Sequence, residues 1–97
     1  MTAYYTARGA WWLVGAIFHL AVCDYAEVDC NREQMDWPRV VNPVDHAEAA
    51  AFLWSPWADE VASWVNLEGD YMRRRAVETR AAADAHREEL RRHRHAA

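Results

Sequence analysis

Apolar residues recur along this chain at intervals of three and four, the spacing of helices with a buried face. In the first third, one stripe contains Trp11, Val14, Phe18, Val22 and Tyr25, and its neighbour contains Leu13, Ile17, Leu20 and Val28. This pattern predicts a first helix from about Thr6 to Val28. Its apolar surface is wide enough to need cover on most sides. We expect that cover to come from the other helices or from a second copy of the chain.

Proline and capping residues divide the rest of the chain into three further helices. Pro38 disfavours helix at Trp37, so positions 30–41 are predicted to form a connector. The start signals are Asn42-Pro43, to which a capping box of Asp45 and Glu48 is the alternative, and then Ser55-Pro56. The expected helices cover roughly 44–53, 56–65 and 69–92. Helix three is expected to point Trp57, Val61, Trp64 and Val65 inward.

Residues 61–75 have the spacing of a helical corner of the kind that enters DNA. Such a corner needs a small residue at the elbow, then a residue that tolerates positive φ, then an apolar residue that anchors the second helix. Ala62, Asn66 and Met72 fall at those places. Any tight helical corner favours the same residues, so the spacing alone does not separate a DNA contact from architecture.

These elements predict an all-α fold with four helices in one small domain. A helix-turn-helix-like corner is expected at 56–80. The compact domain is expected to span 1–80. Positions 81–97 have good helix propensity and few large apolar residues, which predicts a protruding, solvated or frayed basic arm.

The charge of the chain is unevenly distributed. Its 97 residues carry a net charge of −4, and all 11 basic residues are arginine. Positions 1–71 contain three arginines against eleven acids, whereas positions 72–97 contain eight arginines against four acids. An acidic body with a basic C-terminal segment suits contact with a polyanion through that segment only.

The two cysteines and the histidines give little sign of a metal centre. If Cys23 and Cys30 share one helix, their Cα atoms lie about 10 Å apart, too far for a disulfide. We therefore predict free, buried thiols in a reducing cytosol. His19, Cys23, Cys30 and His46 are zinc-ligand types, but their spacing matches no familiar site, and no metal or cofactor is expected.

The apolar run at 10–23 is the one segment that suggests a membrane. It is 14 residues long and contains His19, whereas a spanning helix needs about 20 apolar residues. A buried first helix in a cytoplasmic protein is the expectation.

Two segments of the chain correspond to motifs that occur together in a known group of proteins. Positions 51–55, Ala-Phe-Leu-Trp-Ser, match an Ala-rich helix that ends in Phe-Leu-x-Ser. A second motif, Val-Cys-x-x-Ala-Gly-Leu-Asp-Pro-x-Tyr-Val-Arg-Arg, aligns with Val61, Asn66, Leu67, Asp70, Tyr71, Met72, Arg73 and Arg74. Through these motifs the chain resembles a group of small, uncharacterised phage and prophage helical proteins. The resemblance covers roughly positions 7–77. It implies a phage origin, a helical architecture and a regulatory or host-directed role, and it implies no catalytic residue.

The chain departs from the group's pattern at the elbow. Ala62 stands where the group has Cys, Val65-Asn66 where it has Ala-Gly, and Glu68-Gly69 where it has Asp-Pro. Glu is a poor N-cap and Gly a poor first-turn residue, so a weak start of the fourth helix is expected.

Two classes of function remain. Enzyme chemistry is not expected, because no nucleophile–base set, phosphate loop or carboxylate pair is evident. We expect a regulator that acts by binding a host protein, as an inhibitor of a defence or transcription system, and that forms a homodimer. Its predicted partner-binding residues are Trp37, Trp54, Trp57, Asp59 and Glu60. The alternative is a DNA-binding regulator that contacts phosphates through Arg73, Arg74, Arg75 and Arg80.

Overall fold

The computed structural model describes residues 2–31 and 37–96, and within them the protein is all-α. The four helices are α1 (Thr2–Ala26), α2 (Pro43–Leu53), α3 (Pro56–Ser63) and α4 (Gly69–Ala96). Val28 and Pro38 form an isolated antiparallel bridge, and no strand is present in the described ranges. The predicted fold class is confirmed. Positions 32–36 of the predicted connector and Ala97 of the predicted arm lie outside the described residues.

The two proline start signals cap their helices as predicted. The Asn42 side chain accepts a hydrogen bond from the Val44 amide at 2.8 Å, which favours the Asn42-Pro43 start over the alternative capping box. Ser55 Oγ accepts from the Ala58 amide at 3.3 Å at the start of α3. Each cap satisfies an amide that the first helical turn leaves without an internal partner.

The core lies along one side of α1, where α2 and α4 pack against it. Val14, Phe18 and Val22 of the first predicted stripe are buried there, together with Leu53 and Val61. The neighbouring stripe was predicted to be covered, but Leu13 is 58% exposed and Leu20 is 54% exposed. The short α2 and the long α4 leave this side of α1 uncovered. Trp11, also predicted inward, is half-exposed.

A left-handed residue ends α1 earlier than predicted. Glu27 has φ 56°, and the Val28 amide donates to the Cys23 carbonyl at 3.1 Å, as in a Schellman cap. The chain therefore turns back at Glu27. Val28 is buried with Cys23, Ala26 and Ala83 instead of extending the helical stripe.

The packed part of α4 continues past the predicted boundary at residue 80. Ala83 is fully buried, and Arg87 Nη2 donates to the carbonyls of Ala26 and Glu27 at the end of α1. Apolar spacing does not reveal this contact, because a small residue and an arginine make it. Positions 81, 82, 84 and 85 of the predicted arm are exposed, and from 89 to 94 every side chain is exposed.

Candidate interaction surfaces

The corner between α3 and α4 has the geometry expected from its spacing. Ala62 is fully buried at the elbow, and Asn66 has φ 58°. The Leu67 amide donates to the Ala62 carbonyl at 2.9 Å, and the Asn66 amide donates to the Ser63 carbonyl at 3.2 Å. These two bonds form a Schellman cap with Asn66 at its left-handed position. Met72 packs against the core from the first turns of α4.

Arg73 lies at the centre of the corner, and its side chain is held by hydrogen bonds within the protein. Its Nη2 donates to Asp59 at 2.7 Å, its Nη1 to Asp70 at 2.8 Å, and its Nε to the Leu53 carbonyl at 2.9 Å. Its side chain is only 17% exposed. The hydrogen bond to Asp59, with further support from Asp70, raises the pKa of Arg73 above its ordinary value. This guanidinium connects the end of α2 with α3 and α4.

Gly69 explains why the unusual start of α4 is tolerated. A Cβ at this position would fall on the Asp59 carboxylate and close to the Arg73 guanidinium. The absent side chain thus makes room for the Asp59 carboxylate beside the first turn of α4, where the helix dipole favours negative charge. Asp59, predicted to bind a partner, is thereby tied into the corner, although half of its side chain remains exposed.

Arg80 is also held by the protein. Its Nη1 donates to the Tyr25 carbonyl at 2.8 Å, and its guanidinium carbon lies 5.6 Å from the centre of the Tyr25 ring. Asp84 lies 3.7 Å away on the next turn. Of the four arginines predicted to contact phosphates, Arg74 and Arg75 are the exposed ones.

The tryptophans predicted to contact a partner are all half-exposed, but in different settings. Trp37 packs against the ring of His86 at 5.0 Å, and Trp54 packs against Tyr25 at 5.1 Å. Trp57 instead packs edge-to-face against Trp64 at 5.5 Å. Of these three contacts, only the one at α3 pairs two tryptophans with each other.

Trp57 and Trp64 were both expected to point inward, and that expectation is wrong, because each side chain is about half exposed. The buried residues of α3 and its end are Ala58, Val61, Ala62 and Val65, so the inward face excludes both tryptophans. Trp57, Glu60 and Trp64 are spaced by three and four residues and share an exposed face that flanks the buried one. We call these three residues the α3 aromatic face. The seven-residue spacing of the tryptophans was the sequence signal for it.

A scan of family models, a search of curated proteins and a search of solved structures each find no significant match. The α3 aromatic face and the corner are therefore interpreted from their own chemistry.

A second apolar surface lies on α1. Within the described residues, Gly9–Ala26 is long and apolar enough to cross a membrane by length and composition, and 28% of that window is buried. Trp12, Leu13 and Leu20 are its large exposed residues on one side, and we call them the α1 stripe. Near Leu20 the stripe borders a groove that is also lined by Asp24, Asp45 and Glu48. Its far end is thus acidic.

The four candidate zinc ligands do not assemble into one metal site. His19 Nε2 lies 3.8 Å from Cys23 Sγ, whereas His46 faces the Asp24 carbonyl and the Glu27 carboxylate. Among the described residues, no group of three or more His, Cys, Asp or Glu side chains is arranged to hold a metal ion.

Proposed function

We propose that the protein is a phage-derived, cytoplasmic regulator that acts by binding a host protein, as an inhibitor of a defence or transcription system. The α3 aromatic face carries this proposal, because it presents two half-exposed tryptophans in contact with each other. Tryptophan is enriched among the residues that dominate the binding energy of protein interfaces. The phage origin and the host target rest on the sequence resemblance alone.

The charge around this face indicates what the partner presents. Glu60 lies between the two tryptophans on the exposed side of α3. Positions 1–71 contain a large excess of acids over arginines. A partner that offers an apolar pocket bordered by Lys or Arg is complementary to this face.

Affinity capture from host extract, followed by titration of the purified partner, tests the proposal. The variant is Trp57→Ala/Trp64→Ala, and the matched control is Arg74→Ala/Arg75→Ala. Loss of an interface hot spot weakens binding roughly 30-fold or more. We expect such a loss for the tryptophan variant and near-wild-type affinity for the arginine variant. A partner that binds both variants equally well contradicts the assignment of the α3 aromatic face.

DNA binding is the second candidate, and the corner geometry favours it. Asn66 and Ala62 build a helix-turn-helix-like corner, and Arg74 and Arg75 lie exposed in the first turns of α4. Asp70 and Glu68 lie in the same region and oppose a phosphate, and Arg73 is neutralised by two carboxylates. These charges make protein binding the better-supported function.

A salt titration of DNA binding separates the two candidates. Non-specific phosphate contacts register at about 50 mM salt and weaken steeply as salt is added. If DNA is the partner, binding at low salt is lost in Arg74→Ala/Arg75→Ala and kept in Trp57→Ala/Trp64→Ala. No binding at low salt removes this candidate.

A further inference from the structure

The turn after α1 brings the two cysteines of the chain into one cluster. Because α1 ends at Ala26 and Glu27 is left-handed, Cys30 is not on the same helix as Cys23. Val28 is fully buried behind this turn, and its amide donates to the Cys23 carbonyl. The separation expected for two thiols on one helix therefore does not apply.

His19 and Arg39 tie the two cysteines together. His19 Nε2 donates to the Cys30 carbonyl at 2.6 Å and lies 3.8 Å from Cys23 Sγ. On the other side, Arg39 Nη2 donates to Cys30 Sγ at 3.8 Å and to Asp24 Oδ1 at 2.8 Å. Cys30 is also near enough to Cys23 to help raise the pKa of its thiol. Cys23 is fully buried as predicted, whereas Cys30 is exposed, so the prediction of a buried thiol is wrong for Cys30.

We propose that Cys23 and Cys30 form a redox pair in which a peroxide oxidises Cys30 and Cys23 resolves the product as an intramolecular disulfide. The two thiols have the unequal exposure that this sequence of steps requires. An exposed thiol beside a guanidinium is the setting of oxidant-sensitive cysteines, and a neighbouring thiol resolves the first product.

The chemistry balances with hydrogen peroxide as the two-electron oxidant. The Cys30 sulfur attacks one peroxide oxygen, the O–O bond breaks, and the second oxygen leaves as water after it takes the thiol proton. Cys30 is then a sulfenic acid. The Cys23 sulfur attacks the Cys30 sulfur, the S–O bond breaks, and the hydroxyl group takes the Cys23 proton and leaves as a second water. Two thiols and one peroxide thus yield one disulfide and two waters.

The burial of Cys23 determines the order of the steps. Burial, and then the nearby Cys30, raise the pKa of Cys23 to about 12. Cys23 therefore stays protonated at neutral pH and reacts poorly with an oxidant in solution. It reacts once a sulfenic acid forms beside it. The disulfide links the last turn of α1 to the connector just after the left-handed residue Glu27.

Oxidation of the purified full chain with hydrogen peroxide, followed by alkylation in denaturant and intact mass measurement, tests this proposal. We expect wild type to lose both thiols together, to remain unlinked to other chains, and to lose the mass of two hydrogen atoms. Cys23→Ala is expected to stop at a Cys30 sulfenic acid that dimedone traps. Cys30→Ser, a change at an exposed position, is expected to leave Cys23 unoxidised under the same exposure.

Three results overturn the proposal. The first is a wild type that accumulates the dimedone adduct as Cys23→Ala does. The second is a Cys30→Ser protein in which Cys23 is oxidised as fast as the two thiols of wild type. The third uses wild type alone, so it decides even if Cys23→Ala does not fold. In this result, the disulfide forms no faster in the folded chain than in urea. Such a rate would mean that the fold does not hold Cys23 and Cys30 together.

Discussion

Arg73 Nη2 donates to Asp59 Oδ2 at 2.7 Å, and this bond joins the two helices of the corner. The same guanidinium holds the Leu53 carbonyl at the end of α2. Arg73, which the sequence predicted to contact phosphates, therefore joins α2, α3 and α4 as a structural clamp. The clamp also explains why Asp59 and Gly69 occur together, since the carboxylate occupies the space that a side chain at Gly69 would fill.

Arg73→Ala is expected to lower the free energy of unfolding by about 1–3 kcal/mol, because it leaves the Leu53 carbonyl and two carboxylates without their donor. The exposed half of Asp59 keeps the ion-pair share of this loss small. Arg74→Ala is the matched control, and an exposed residue of this kind changes stability by about 0.5 kcal/mol or less. Urea unfolding followed by circular dichroism measures both. Equal effects of the two substitutions would show that Arg73 is not a clamp.

Glycine-to-alanine substitutions at two helical positions are expected to act in opposite directions. Gly15→Ala in α1 is expected to stabilise the protein by about 0.5–1 kcal/mol, because alanine is the better helix former and nothing lies within 4 Å of the added Cβ. Gly69→Ala is expected to destabilise by about 1–3 kcal/mol, because its Cβ displaces the Asp59 carboxylate. Thermal unfolding of the two variants checks the sign. A stabilised Gly69→Ala protein would mean that Asp59 can move away without cost.

The left-handed residue of the corner gives a third test. Asn66→Ala is expected to cost about 1 kcal/mol, because φ 58° is unfavourable for a side chain without a local polar group. Asn66→Gly keeps this conformation accessible and is expected to be neutral or slightly stabilising. Chemical denaturation measures both variants. If glycine destabilises as much as alanine, the Asn66 side chain acts through a contact and not through its backbone.

Local signals predicted the helices well, and long-range contacts explain what they missed. Asn42 and Ser55 act on neighbouring amides, so their capping roles were readable from the sequence. Arg87 donates hydrogen bonds to carbonyls about 60 positions away in the chain. No local spacing pattern predicts such a contact. The uncovered side of α1 escaped prediction for a related reason. Periodicity shows which face is apolar and does not show which neighbour covers it.

The α1 stripe provides a test of the predicted homodimer. Leu13→Glu places a charge in the middle of an apolar contact and is expected to shift the protein from dimer to monomer. Antiparallel packing of α1 from two copies would keep the acidic ends near Asp24 apart, so we expect Leu13 of one copy to lie close to Leu20 of the other. Sedimentation velocity measures the change, with Trp57→Ala as the control outside the stripe. A wild-type monomer at high concentration refutes the dimer.

The buried thiol of Cys23 predicts a loss of stability in alkaline solution. Burial first, and then Cys30, raise its pKa from an ordinary 9.0 to about 12. A group whose pKa is raised in the folded state makes its full contribution to the free energy of unfolding below its unfolded pKa. That contribution is lost as the pH rises towards the folded pKa. The free energy of unfolding of wild type should therefore fall, relative to that of Cys23→Ala, by roughly 1 kcal/mol per pH unit above pH 9. Urea titrations of the two proteins under reducing conditions, at about pH 8 and about pH 10, measure this difference. The comparison cancels the tyrosines and arginines that both proteins share, so parallel pH profiles would show that the Cys23 thiolate forms in the folded protein at no extra cost.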